Sequence, residues 1–455
     1  MKRGVLERLF LLGDGERKRM WPFFLLYLLL FGALTIAEGL SMALFVQRVG
    51  ARELPLWYGA MAVANLVLVG GYVAIADRFS SSTLFRVIVG GCGLVFVGVW
   101  ALLQAHSASN ALLGTLFASR EIAYTLFLMH FGTYLQDFFT RDELTRVMPM
   151  VYAGGRVGGI LGGAALATFG GRFGLESFLL VCGGLAVAAA LSSYVVERVV
   201  PAPSSDADDR GDAGVRGAGG LSAEQLDEQA RSSWGGFFRF LRTSPLGSWY
   251  TILSIVYVFC RWFLNYQYNV YFEGHFADEV AMAEFLGRYA QYALMISLVF
   301  QLFIVSRIVV HLGLHFAQTL YAVLLGTAFG GMLLHPSLPT AIWARFIETE
   351  LRFGLRNPVN QLVINKFSKA LRIRMRAWSI GFIVPVGTMG SAIGLSALAG
   401  AAAPAALAWV GLGFGGAYLL ASFRMLSTFT EQPLAAAGPE PVTTTRDEDP
   451  QEPRP

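Results

Sequence analysis

The chain has 455 residues, of which 55% are hydrophobic and 15% are charged, and its formal net charge is +4. Soluble globular proteins carry about 25% charged residues, so a chain with this balance could not cover its apolar core with a polar surface. Apolar blocks as long as the roughly 20 residues that span a bilayer recur along the sequence. The composition therefore excludes an ordinary soluble domain and indicates an all-α membrane protein with many spans.

Signatures of enzymes and metal sites are missing from the sequence. Cys92, Cys182 and Cys260 lie inside apolar blocks, without the spacing of metal ligands or of a disulfide framework. Neither HExxH nor GxxxxGK[ST] occurs, and the six histidines are scattered. We therefore expect a protein that is not an enzyme, with no catalytic residues, no metal, no cofactor and no nucleic-acid partner.

The first half of the chain predicts a bundle of six helices. Residues 1–20 are a basic segment with six positive charges, and the span that follows is too long for a cleaved signal peptide. The bundle itself occupies 21–198. Its spans are predicted at about 21–47, 54–76, 84–106, 109–138, 147–170 and 175–197.

A long polar segment separates this bundle from a second one. Residues 199–245 form a linker, acidic and rich in Gly, Pro and Ser at first, then basic and aromatic from 233 onward, which suits a helix at the membrane surface. The second bundle occupies 246–425. The spans of this bundle are predicted at about 246–271, 284–306, 313–335, 338–365, 376–400 and 403–425. The tail, 426–455, is predicted to be disordered.

The distribution of positive charge predicts the orientation. With both termini in the cytoplasm, the outer loops hold only Arg48, Arg52, Arg172 and Arg288, and the other positive loop residues lie inside. We expect a multi-pass protein of the bacterial inner membrane. Two six-helix halves joined by a central cytoplasmic loop resemble the organisation of major facilitator transporters, whose substrate site lies between the halves near mid-membrane.

The stretch 340–366 is unusual because it is charged within an otherwise apolar span. On an α-helix, spacings of three, four and four place Arg345, Glu348, Arg352 and Arg356 on one face. Ionisable side chains at membrane depth cost about 2.5–3.5 kcal/mol each and by default mark a substrate or ion path. The alternative is that Arg345 and Glu348 only pair with each other to hold two helices together.

Other spans carry isolated polar groups. Glu38 is the one acid in helix 1 and could carry a proton, or it could pair with Arg120 or Arg261 and hold helices together. Helix 7 places a cation, hydroxyls, an amide and aromatic rings on one face, which suits either an anionic ring-bearing solute or a polar seam between helices. The residues of that face are Ser254, Tyr257, Arg261, Asn265 and Tyr268.

These patterns lead to a set of assigned roles. We predict substrate binding by Arg120, Tyr124, Arg261, Asn265, Tyr268, Arg345 and Arg352. We predict coupling by Glu38, Glu121 and Glu348. We predict gating by Asp77, Arg78, Arg156 and Asn357.

The gating residues are chosen for their surroundings. Asp77–Arg78 resembles the Asp-Arg turn between the second and third helices of facilitator transporters. Arg156 lies among helix 5 glycines spaced for close helix packing, and it either faces the cavity or pairs with Asp137, Asp142 or Glu143. Asn357–Pro358 is expected to kink helix 10, because proline removes a helical hydrogen bond.

Several segments together resemble one family. LFVQRVGARELPLWYGA, YVAIADRFSSSTLF, TRVMPMVYAGGRVGGILGG and LRNPVNQLVINKFSKALRIRMRAWSIGFIVPVGTMGSAIG are similar to the nucleotide transporters of the ATP/ADP antiporter type. These form a divergent branch of the major facilitator superfamily. The resemblance implies a facilitator fold and nucleotide transport by antiport.

The sequence as a whole favours a secondary active transporter that moves an anionic solute by alternating access. A nucleotide or an organic phosphate is the expected cargo, and no ATPase motif is present to supply energy. We expect a monomer whose partners are this solute and membrane lipid. The alternative is a non-transporting membrane scaffold that uses the same fold to bind cytoplasmic partners.

Overall fold

The computed structural model describes residues 15–76, 78–105, 109–200, 234–305, 307–367, 369–401 and 404–431. Within these ranges the chain is almost entirely helical and contains no β-strand. The sequence-based expectations for 1–14, Asp77, most of the linker and the tail beyond 431 lie outside the described residues.

The first half consists of six long helices joined by short turns. They are α1 Glu16–Arg48, α2 Leu54–Ala76, α3 Ser81–Ala105, α4 Asn110–Gln136, α5 Arg141–Phe173 and α6 Phe178–Val199. Two single 3₁₀ turns, Ala51–Glu53 and Leu175–Ser177, precede α2 and α6. Because the turns are short, successive helices run antiparallel.

The second half opens with the short amphipathic helix α7 Trp234–Thr243, followed by longer helices that π-helical segments interrupt or extend. The α-helices are α8 Pro245–His275, α9 Glu279–Val299, α10 Gly313–Leu334, α11 Leu338–Phe346, α12 Asn357–Ile364, α13 Lys369–Trp378, α14 Val384–Ala401 and α15 Pro404–Glu431. The π-helical segments are Phe300–Val305, Ile308–Leu312, Ile347–Arg356 and Ser379–Ile383.

Eight of the described helices are long and apolar enough to cross a membrane. They correspond to α1, α2, α3, α4, α6, α10, the run from Arg374 to Ala399, and α15. The remaining long helical segments, which include α5 and α8, carry the polar groups discussed below. This architecture confirms the prediction of an all-α membrane fold.

Several helix ends differ from those expected. α5 begins at Arg141 and not near 147, because Thr140 and Glu143 form a reciprocal capping box that starts the helix inside the charged RDELTR link. α1 already begins at Glu16, where a terminal basic segment was expected. α15 continues to Glu431, so the first residues of the expected disordered tail are helical.

The helices pack into two groups. In the first half, α1 packs against α4, α5 and α6, and in the second half α8 packs against α11, α14 and α15. The halves meet where α9 packs against α5 and α1, and where α14 packs against α2. We call the end of the bundle that carries Glu16 and Glu431 the terminal face, and the opposite end, which carries Arg48 and His275, the distal face.

Glycines set the distance between α5 and its neighbours. A Cβ added to Gly162 would lie 2.6 Å from the backbone oxygen of Gly32 on α1, and one added to Gly163 would lie 2.6 Å from the backbone oxygen of Gly287 on α9. Real Cβ atoms do not approach backbone so closely. The predicted role of the α5 glycines in close helix packing is confirmed.

Substituting one of these glycines should loosen the first half. We expect Gly162→Ala to lower the free energy of unfolding by about 1–3 kcal/mol, because the new methyl group overpacks the α1 backbone. Gly184→Ala on α6 meets nothing within 4 Å and is the matched control. Thermal melting in detergent measures both. Equal melting temperatures for the two variants would contradict the close contact.

Candidate functional site

A cluster of charged side chains lies at the middle of the helices, where the two halves face each other. Its ten members are Glu38, Arg120, Glu121, Arg156, Arg261, Arg345, Glu348, Glu350, Arg352 and Arg356. We call these residues the central cluster. They come from α1, α4, α5, α8 and α11 and from the π-helical segment that joins α11 to α12.

Glu121 is shared by two arginines. Its carboxylate accepts a hydrogen bond from Arg120 Nη1 at 2.7 Å and another from Arg261 Nη2 at 2.8 Å. Arg120 and Glu121 belong to α4 in the first half, whereas Arg261 belongs to α8 in the second. The carboxylate therefore joins the halves and takes part in two charge-assisted bonds, which are the stronger kind.

Glu348 is shared in the same way. It accepts from Arg261 Nε at 3.1 Å, from Arg352 Nη1 at 3.4 Å and from the Tyr268 hydroxyl at 3.1 Å. A chain of neutral groups leads away from it. Asn265 donates to the Tyr268 hydroxyl, and Tyr58 on α2 donates to Asn265 Oδ1 at 2.7 Å. This chain links the charged centre to the first half.

Two further ion pairs join the halves. Arg345 Nη2 donates to Glu38 at 2.8 Å, and Arg156 Nη1 donates to Glu350 at 2.7 Å. In the first pair the acid belongs to the first half, and in the second pair the acid belongs to the second half. The Glu38 side chain is 35% exposed, whereas its partner Arg345 is 4% exposed and has the ring of Tyr289 at 5.1 Å.

Positive charge exceeds negative charge in the central cluster. Six arginines against four glutamates leave an excess of two positive charges. In addition, the buried Nε atoms of four arginines have no hydrogen-bond partner among the described residues. These arginines are Arg120, Arg345, Arg352 and Arg356. Buried polar groups are nearly always hydrogen-bonded, so open donors of this kind call for an acceptor that the described residues do not supply.

Arg356 differs from the other five arginines of the central cluster. It forms no ion pair with a described residue, and its guanidinium lies 3.4 Å from the ring centroid of Tyr257. It is nevertheless buried, with 8% of its surface exposed. One of the two excess charges can therefore be placed on a particular side chain.

The backbone between α11 and α12 explains how so many charges meet. Ile347–Arg356 is π-helical and carries Glu348, Glu350, Arg352 and Arg356. A π-helix has a wider turn than an α-helix and occurs frequently at functional sites. The segment is therefore π-helical and not the α-helix on which the spacing was projected; within it, Glu350 bonds to Arg156 and Glu348 bonds to Arg261 and Arg352.

Several predicted pairings are corrected by the structure. Arg345 does not pair with Glu348, because it bonds to Glu38, and Glu348 bonds to Arg261 and Arg352. Neither Arg120 nor Arg261 is the partner of Glu38. The distance along α1 decides this: Glu38 lies level with α11, which begins at the distal face.

One of the two alternatives for Arg156, a pair with an acid at the terminal end of the first half, is also corrected. Asp137, Asp142 and Glu143 were the candidates, but Arg156 bonds to Glu350 across the halves. Glu143 instead pairs with Arg19 at 2.8 Å, beside the start of α1. Arg156 lies about four helical turns along α5 from the capping box, too far from Glu143 to contact it.

The remaining predicted site residues vary in how close they come to the cluster. The ring of Tyr124 lies 6.3 Å from that of Phe353, across the halves, and Asn265 and Tyr268 belong to the hydrogen-bonded chain described above. Arg78 is exposed at the terminal face, away from the cluster. Asn357 begins α12 just after the π-helical segment, so the irregular hydrogen bonding lies before Asn357–Pro358 and not after it.

Sequence reasoning missed some members of the cluster. Glu350 was noted as charged but was given no role, because an α-helical projection turns it away from Arg352. Arg356 was placed on the charged face but was not assigned to the site. Tyr58 and Tyr289 gave no signal, because single tyrosines are common in apolar helices.

The two halves are sealed at the distal face. Arg48 bonds to Glu279 of the second half and to Glu176 of the first, and the backbone nitrogen of Ala51 donates to Glu273 at 3.1 Å. On the terminal side of the central cluster, Tyr152 and Leu128 are 38% and 40% exposed. Tyr152 lies on the same face of α5 as Arg156, and Leu128 lies on the same face of α4 as Glu121. These two side chains are therefore only partly covered by neighbouring helices.

Comparisons with known proteins bear on the fold. No protein-family model matches the chain, and no curated protein matches it. Among solved structures, it is similar to the nucleoside transporter NupG, with a TM-score of 0.59 at 13% identity, covering 91% of this chain and 98% of that one. A peptide transporter POT in complex with sulfate gives 0.58 at 16% identity, covering 91% and 94%.

A third structure, a bacterial homologue of the iron transporter ferroportin in an inward-facing state, gives a TM-score of 0.57 at 16% identity and covers 91% of this chain and 99% of that one. These similarities extend over almost the whole of each chain. Together with the apolar helices, they show that this chain is a multi-pass membrane protein with a major-facilitator-like fold.

Removing a shared carboxylate should destabilise the site. Glu121→Gln keeps the shape of the side chain but leaves Arg120 and Arg261 without their common counter-charge. We expect a loss of about 3–5 kcal/mol in the free energy of unfolding, the usual result of leaving a buried charge unpaired. Glu284→Gln, in an exposed pair with Arg288 on one helix, should change it by less than about 1 kcal/mol. Comparable losses in thermal melting would show that the central pairs are not desolvated.

Proposed function

We propose that the protein is a secondary active transporter that binds an anionic solute at the central cluster and moves it by alternating access. The observation that carries the proposal is the excess of two positive charges on six arginines, of which three are buried and three are partly buried. Cations kept in a low-dielectric interior are costly, and they persist where they are paired or where they serve a passing ion. Four carboxylates are too few to neutralise this set.

The sharing of carboxylates supports an exchangeable site. Glu121 and Glu348 are each divided between two arginines, with Arg261 common to both. An incoming carboxylate or phosphate could take over bonds from either glutamate, because a guanidinium presents five donors and binds such groups in a bidentate manner. The arginines would stay paired throughout, so no step would leave a buried guanidinium without a negatively charged partner.

The class of solute follows from the same chemistry. Arginines with neighbouring aromatic rings suit a carboxylate, a phosphate ester or a nucleotide. Exchange of ATP for ADP, which the resemblance to the antiporter family implied, would have to rely on arginine here, because the only lysines are Lys2, Lys18, Lys366 and Lys369. We therefore keep the proposal at an anionic solute and treat a nucleotide as one member of that class.

Glu38 is the strongest candidate for coupling to protons. Its side chain is the most exposed of the four acids in the central cluster, and it has one arginine partner, whereas Glu121 and Glu348 have two each. Protonation would release Arg345 and weaken one of the bonds between the halves. This assigns to α1 a step that could depend on a proton gradient.

The orientation completes the proposal. If the charge bias of the loops places the termini in the cytoplasm, the terminal face is cytoplasmic and the structure is closed to the outside. We call the contact between the halves at the distal face, where α9 packs against α5 and Arg48 bonds to Glu279, the distal seam. Transport then requires this seam to open and the bonds from Arg48 to Glu279 and from Arg345 to Glu38 to break. A bound anion would compensate the arginines that lose partners during this step.

Anion binding can be tested with the arginines of the central cluster. We expect Arg261→Gln and Arg352→Gln to weaken anion binding by at least about tenfold, since hydrogen bonds to charged groups contribute about 1.5–3 kcal/mol. The probes are ATP, ADP, inorganic phosphate and succinate. The measurements are the ligand-induced rise in melting temperature and uptake into proteoliposomes.

The control for this test is Arg288→Gln, because Arg288 is 64% exposed and lies outside the cluster. It should bind and transport as the wild type does. Wild-type protein that responds to no anion, or cluster variants with unaltered affinity, would refute the proposed site.

Opening of the distal seam can be tested separately. A Cβ at Gly287 would lie 2.7 Å from backbone atoms of Gly163 and Ala167, so Gly287→Ala should force α9 away from α5. Combined with Ala283→Cys on the same face of α9, it should raise the rate of labelling by an impermeant thiol reagent several-fold. Gly326→Ala on α10, where a Cβ meets nothing within 4 Å, is the matched control. Equal labelling rates would argue against a seam that opens between α5 and α9.

A further inference from the structure

Arg356 lies beside a group of tyrosines in the second half that the proposed site does not include. Its guanidinium covers the ring of Tyr257, and the rings of Tyr321 and Tyr418 lie 6.4 Å and 6.0 Å from that ring. Gln318 donates to the Tyr418 hydroxyl at 3.2 Å and closes the group on the α10 side. No carboxylate of a described residue pairs with this cation.

Arg356 Nε and Gln318 Oε1 have no hydrogen-bond partner among the described residues. The hydroxyls of Tyr257 and Tyr321 interact with each other, which uses one of their two hydrogens and leaves the other without an acceptor. Every one of these residues is more than nine-tenths buried. Buried donors without partners are rare, and a free Nε and a free hydroxyl hydrogen beside a cation without a counter-charge call for an acceptor that the described residues do not supply.

The position of Arg356 relates this place to the central cluster. Arg352 precedes it by four residues in the same π-helical segment and bonds to Glu348, so the two guanidiniums follow one another along the path between the centre and the terminal face. A solute could therefore contact both. The excess of two positive charges over the whole cluster matches two negative charges on the solute.

We propose that Arg356, Tyr257 and Tyr321 form a second anion subsite, so that the transported solute carries two anionic groups. One group binds the arginines that share Glu121 and Glu348, and the other binds Arg356. The tyrosine hydroxyl pair donates its free hydrogen to the second group, as Ser, Thr and Tyr hydroxyls commonly do for the polar groups of ligands. This inference rests on the proposed function and adds the charge of the substrate, as in a dicarboxylate or a diphosphate.

The competing explanation is structural, with Arg356 serving only to stack on tyrosines. Cation–π contacts between arginine and tyrosine are common and can stabilise a buried cation. That explanation gives no role to the second hydrogen of the Tyr257–Tyr321 hydroxyl pair, which no acceptor in the described part of the chain takes up. The hydroxyls therefore separate the two explanations.

The experiment compares matched pairs of solutes. Succinate and glutarate are set against their monomethyl esters, and pyrophosphate against inorganic phosphate, with binding measured by calorimetry on the full-length protein in detergent. For the wild type we expect each bis-anion to bind at least about tenfold more tightly than its partner, because it gains a second charge-assisted contact. No such preference in any pair would overturn the proposal.

Variants then locate the second charge. Arg356→Gln and the double variant Tyr257→Phe with Tyr321→Phe should lose most of the preference for bis-anions while retaining affinity for the monoanions. Without ligand, the double variant should melt close to the wild-type temperature, because it removes both members of one buried hydroxyl pair and leaves neither unpaired. Tyr134→Phe, which removes a buried hydroxyl in the first half, should leave the preference for bis-anions unchanged.

The outcomes also separate this inference from the proposed function. A preference for bis-anions that survives in both the Arg356 and tyrosine variants overturns the second subsite and leaves the anion transporter intact. Loss of all anion binding in Arg261→Gln, with no effect of Arg356→Gln, likewise overturns the second subsite alone. A wild-type protein that binds none of the six probes removes both.

Discussion

The structure depends on guanidinium–carboxylate pairs that cross between two helical halves in a medium that penalises unpaired charge. Each such pair is stable only while its partners remain together, because separation leaves an ion buried without a counter-charge. The pairs therefore do not simply hold the halves together. They favour the relative position of the halves in which every pair is formed. In any other position, a different group has to replace the carboxylate or guanidinium that was lost.

The number and placement of acids set the charge balance of this arrangement. With fewer carboxylates than arginines, the interior attracts negative charge and repels positive charge. If the solute is an anion, as proposed, the sharing of Glu121 and Glu348 moderates its affinity for Arg261 and Arg352, because it competes there with a resident carboxylate.

The sequence predicted the class of fold and the helices that carry charge, but not the contacts between them. Apolar length identifies spans, and isolated charges such as Glu38 and Arg261 stand out against them. Partners could not be assigned because α1 and α11, which carry Glu38 and Arg345, are distant in the chain, and their packing decides which charges meet. The π-helical geometry of Ile347–Arg356 was also hidden, since it has no sequence signature, and it moved Glu350 into the centre.

The glycines of the distal seam have a mechanical consequence. Where Gly163 faces Gly287, and where Gly59 faces Ala392 on the other side of the bundle, the halves touch through backbone or a single methyl group. Surfaces without interlocking side chains can roll over one another without first disengaging. These two contacts would let the halves change their relative orientation at little steric cost. The charged centre could then face one side of the membrane and afterwards the other.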